Sequence, residues 1–115
     1  MKNYADLEVF QRSKKLYPQV YAMVRAWRDI DQRELGSQIV RAANSIHANI
    51  AEGFGKSPAE FKRYLATALG SCDELRSHLS DAHAVKLLSS KDMQMYLDEY
   101  TIVGKQLNKL RQVWK

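Results

Sequence analysis

Three histidines and one cysteine are the side chains of this sequence best suited to chemistry. His78 and His83 lie about 140° apart on a helical wheel, too far round to share one metal. Glu74 and His78 stand at i, i+4. A di-iron bundle site, however, needs Glu-x-x-His on two helices and further glutamates from the others. No metal or other cofactor is expected. Cys72 falls on an apolar seam and reads as a small core residue. As the only cysteine it cannot form an internal disulfide, which suits a reducing cytoplasm. Ser45 and Ser71 lack a nucleophile elbow. The run Gly53-Phe54-Gly55-Lys56-Ser57 looks like a phosphate loop but lacks the spacer of GxxxxGK, and no strand precedes it. A turn followed by a helix cap is the better reading, with at most weak anion binding at Lys56 and the helix start. None of these groups forms a catalytic constellation, so the chain reads as non-enzymatic.

Charge is the next candidate. Lysine and arginine number 18 against 13 acids, for a formal charge of +5. The basic residues are unevenly placed. From Tyr100 to Lys115 there are Lys105, Lys109, Arg111 and Lys115 and no acid. The first helical stretch adds Arg12, Lys14, Lys15 and, at its end, Arg25 and Arg28. The plain interpretation is solvated charge, with cations favoured at helix C-termini by the dipole. The functional one is a phosphate-binding surface, salt-sensitive and weakly sequence-specific. Exposed stacking aromatics of an RNA-recognition motif are missing, because the tyrosines and tryptophans fall mostly on apolar stripes.

The elements that must position these residues are helices. Apolar content of 45% over 115 residues suits one domain with one modest core. No run approaches the ~20 apolar residues of a membrane span, and the N-terminus lacks the apolar region of a secretory signal. The expectation is a cytoplasmic protein with no membrane contact. Helices are predicted at about 6–27, 34–54, 58–86 and 90–114. Met93, Tyr96, Tyr100, Val103, Leu107, Leu110 and Trp114 form an unbroken seam of threes and fours. Phe61, Leu65, Ala68, Cys72, Leu75, Leu79 and Ala82 form another. Ser57, Pro58 and Glu60 predict a capped start with a capping box, and Ser89 or Ser90 with Asp92 predicts a second. Gly53 and Gly55 are expected to end the second helix. Pro18 interrupts the first, which is expected to bend there and continue. Short connections imply an antiparallel up-down-up-down four-helix bundle.

Two features exceed what one bundle needs. The first helix carries two apolar stripes, Phe10, Tyr17, Tyr21 and Val24 beside Val9, Leu16, Val20, Met23 and Trp27, covering roughly 200° where about 100° suffices. The second helix places Leu35, Ile39, Ala43, Ile46 and Ile50 on its core face, yet its other flank holds Arg41, Ser45, Ala48, Asn49 and Glu52. A solvent face normally carries Lys, Glu and Gln. Small and amide residues there point to close contact with protein, with polar groups that must be paired on burial. The surplus predicts self-association.

The segment Gln38 to Gly53, QIVRAANSIHANIAEG, resembles the signature of the bacterial four helix bundle protein family, also called 23S ribosomal RNA intervening-sequence proteins. DLEVFQRSKKLYPQVY (Asp6 to Tyr21) is similar to that family's opening helix, and EFKRYLATALGSCDELRSHL (Glu60 to Leu79) to its third. Pro18 and His47 look like local variants. The family is similar in fold to the accessory protein of diversity-generating retroelements, a barrel-shaped homopentamer that binds reverse transcriptase and RNA. The resemblance implies a homopentameric ring of all-α bundles. It suggests a basic scaffold for RNA or for a reverse-transcriptase-like nucleoprotein. The alternative is a protein-binding adaptor ring whose charge serves only solubility.

Overall fold

The computed structural model describes residues 3–115. They form a four-helix bundle measuring 44 × 22 × 19 Å, without strands among the described residues. A 3-10 turn (Tyr4–Asp6) leads into α1 (Glu8–Arg25). The second helix has a lead-in, Asp29–Asp31, then a π-helical turn, Gln32–Gly36, before α2 (Ser37–Gly53). The last two are α3 (Pro58–Ala84) and α4 (Ser90–Val113). α2 packs most extensively on α3, then α3 on α4 and α1 on α2, and of these neighbouring pairs α1 and α4 touch least.

The seams follow the helical spacing closely. Phe61, Leu65, Ala68, Cys72, Leu75, Leu79 and Ala82 are all buried along α3. Tyr96, Tyr100, Val103 and Leu107 are buried along α4, with Met93, Leu110 and Trp114 half-covered at its ends. Ile39, Ala43, Ile46 and Ile50 meet them from α2. Both serine caps form: Ser57 Oγ accepts from Glu60 N at 3.2 Å, and Ser89 Oγ from Asp92 N at 3.1 Å. At Ser57 only this half of the expected box is made.

Several boundaries differ from expectation, each for a local reason. Helical structure before α2 begins at Asp29 rather than near 34. Asp29 and Asp31 sit in its first turn, where carboxylates complement the helix dipole. Gln32 Nε2 donates to the carbonyls of Trp27, at 2.6 Å, and Arg25, at 3.3 Å, tying off the end of α1. The π turn that follows brings Gly36 against α1, where a Cβ would stand 2.6 Å from Val24 Cγ1. α3 stops at Ala84, and Lys86 then takes a left-handed conformation, φ 68°. Lys86 N bonds His83 O and Leu87 N bonds Ala82 O, the paired bonds of a Schellman turn.

Gly53 does end α2, but it is needed for packing rather than for a left-handed cap. Phe54 follows in right-handed conformation. A Cβ on Gly53 would lie 2.5 Å from Tyr64 Cβ, so the glycine sets how closely α2 and α3 approach. α1 runs through Pro18 as one helix, with the ring on its exposed side.

Candidate assembly and nucleic-acid surfaces

The flank of α2 away from the isoleucines opens onto a groove of about 970 Å³, walled on the far side by α3. All five expected contact residues line it: Arg41, Ser45, Ala48, Asn49 and Glu52. Arg41, Ala48 and Glu52 are exposed, whereas Ser45 and Asn49 are half-buried. A polar chain crosses the floor. Asn49 Nδ2 donates to Ser45 O at 2.7 Å and Ser45 Oγ at 2.9 Å, and Ser45 Oγ lies 2.8 Å from Ser71 Oγ on α3. Asn49 is therefore paired in part within its own chain, while its Oδ1 has no partner among the described residues. Arg41 and Glu52 have no ion partner there either. Arg33 and Arg41 face Glu34, Glu52 and Glu74 around the rim. Such a mixture can satisfy itself against another protein surface, and it favours neither a lone anion nor a lone cation.

The basic residues are not gathered into one patch. Arg12 bridges α1 to α4, with 3.2 Å to Glu99 and 3.7 Å to Glu8. Arg28 is held by Asp31 at 3.1 Å. Arg12 thus links two helices, whereas the Arg28 side chain stays largely exposed in a local surface pair. Lys14, Lys15, Lys105, Lys109 and Lys115 are exposed and have no ion partner among the described residues. Arg111 is half-buried, its Nε shut from solvent without a hydrogen bond. Lys105 and Lys109 flank the start of α1, Lys15 sits further along beside Arg12 and Glu99, and Lys14 faces the α2 side near His47.

The other chemically active groups are placed as follows in the fold. Cys72 Sγ donates to Tyr100 O at 3.1 Å, and burial pushes its thiol up to about 12, so it stays protonated. His83 Nδ1 lies 3.0 Å from Leu88 O, bridging the α3–α4 turn. Lys56 Nζ stands 5.7 Å over the Tyr64 ring, and Lys56 N bonds Gly53 O, which makes the glycine-rich run a turn. Glu74 and His78 share a wall of the groove. Among the described residues no three His, Cys, Asp or Glu side chains cluster to hold a metal ion. No helix among them is long and apolar enough to cross a membrane.

His47 is the functional-looking residue that sequence reasoning set aside. It is 5% exposed, with Tyr17 edge-on at 5.4 Å and Phe10 at 6.1 Å. Its Nε2 lies 3.4 Å from Asn44 Nδ2, and its Nδ1 is buried without a partner. Burial first, and the charge of Lys14 second, lower its pKa and keep the ring neutral. Its spacing from Ala43 and Ile50 already marked the core side of α2.

Among curated proteins none matches the chain. A crystal structure of a protein of unknown function from the S23 ribosomal protein family of Bacteroides thetaiotaomicron shares the fold. Its TM-score is 0.82 at 21% identity, and the match covers 91% of this chain and 99% of that one. The sequence profile described as 23S rRNA-intervening sequence protein matches residues 5–109. On that span, which takes in three helices whole and the fourth as far as Lys109, the chain belongs to the 23S rRNA-intervening sequence protein family.

Proposed function

We propose that the protein is a non-enzymatic, oligomeric basic scaffold, a homopentameric ring in the cytoplasm that binds RNA or a nucleoprotein partner. The observation that carries this reading is the groove on α2 and α3. It holds an ordered chain of hydrogen-bonding side chains in a concave face that its own protomer leaves uncovered. Phe10, Tyr17 and Met23 on α1, and Trp27 just after it, pack against the core yet stay only half-covered. An up-down-up-down path is supported by pairs that run in opposite senses, Ser45 with Ser71 and Gly53 with Tyr64. The free lysines, repeated by symmetry, would sum to a positive field along the ring.

The Arg12–Glu99 pair favours the second reading, an adaptor ring that binds protein alone. Fluorescence anisotropy with unstructured poly-uridine RNA separates the two. The scaffold predicts binding at low salt that falls steeply as salt rises, by roughly 0.7 in log–log slope per phosphate contacted. Changing Lys14, Lys15, Lys105 and Lys109 together to Gln should flatten that slope without unfolding the bundle. No RNA binding at low salt would leave the adaptor.

A further inference from the structure

We propose that the trough between the start of α1 and the end of α4 is a docking site for an acidic amphipathic helix of another protein. The trough has a volume of about 350 Å³. Leu7 and Val9 form one wall, Leu110 and Val113 the other. Val113 is 52% exposed, a large apolar side chain left standing in solvent at its mouth. Gln106 adds a buried Oε1 with no hydrogen-bond partner. Further along the same seam the Arg12–Glu99 bridge ties α1 to α4.

Shape and charge together fix the occupant. A groove between two helices accepts a third by ridges-into-grooves packing, with apolar anchors at i, i+3, i+4 and i+7. Lys105 and Lys109, one turn apart on α4, stand on the rim with no ion partner among the described residues. The acid on the rim, Glu8, already lies 3.7 Å from Arg12. The local field is therefore positive over an apolar floor. An acidic helix matches both, because its leucines fill the trough while carboxylates one turn apart reach the two lysines. RNA would meet the lysines but gain nothing from Leu110 and Val113. The inference requires neither the ring nor RNA binding.

The test uses the full chain and two short helical peptides. Both carry leucines at the anchor positions, one flanked by glutamates and the other by lysines, and binding is read by fluorescence anisotropy. The acidic peptide should bind and the basic one should not. The double variant Lys105→Glu with Lys109→Glu should lose at least about tenfold in affinity for the acidic peptide. The same variant should gain binding of the basic one. Val113→Asp, at an exposed site, should weaken the acidic peptide with circular dichroism unchanged. Absence of acidic-peptide binding, or indifference to charge reversal, overturns the proposal. So does poly-uridine RNA that loses affinity on Lys105→Glu with Lys109→Glu and ignores Val113→Asp while the peptide fails to bind. If Val113→Asp alone splits the assembly, the trough is a contact between copies and the proposal falls.

Discussion

His47 is an imidazole enclosed by aromatic rings, with a lysine as the charge that acts on it. Its folded-state pKa lies below the ordinary 6.5 of the unfolded chain. As pH falls through 6.5 the unfolded state takes up the proton first, so stability is complete above that value and declines below it. Urea midpoints at pH 7.5 and 5.5 should therefore drop more for the wild type than for His47→Leu. Equal drops would show that His47 contributes nothing to acid sensitivity. Asn49 illustrates how much of a side chain's role sequence conveys. Its need for hydrogen-bond partners was legible from its place among small residues. Its actual partners, Ser45 and then Ser71 across the groove, depend on how α2 meets α3. The partner of Arg12 was not legible for the same reason, since Glu99 stands on another helix far along the chain.

At the scale of elements, the long seams of α3 and α4 were readable because a strict three-four spacing leaves one face for the core. The π turn before α2 was not, because it is set by Gln32 reaching back to α1 and by Gly36 meeting Val24. Gly53 was recognised as a helix end, yet its contact with Tyr64 is tertiary. Gly53→Ala should lower stability by about 1–2 kcal/mol, overpacking outweighing the better helix propensity of alanine. Thermal melts would show it, and an unchanged or raised Tm would mean that α2 and α3 separate freely. The opposite sign is expected at Lys86, where a side chain occupies left-handed backbone. Lys86→Gly should stabilise by about 1 kcal/mol, read from the same melts. A lower Tm would show that the Schellman turn holds no strain.

For the whole molecule, each protomer carries +5 and leaves two concave surfaces open, one polar on α2 and α3 and one apolar between the start of α1 and the end of α4. The bundle itself follows from four amphipathic segments and short connections. The surplus of apolar arc and of small residues supports the proposed self-association, whereas subunit number is not written in any spacing. The most direct measurement is sedimentation velocity at micromolar concentration, for the wild type and for Asn49→Leu. The wild type should sediment as an assembly near fivefold the 13.3 kDa protomer mass, and Asn49→Leu should shift it toward smaller species. A stable, folded wild-type species of 13.3 kDa would contradict the assembled scaffold.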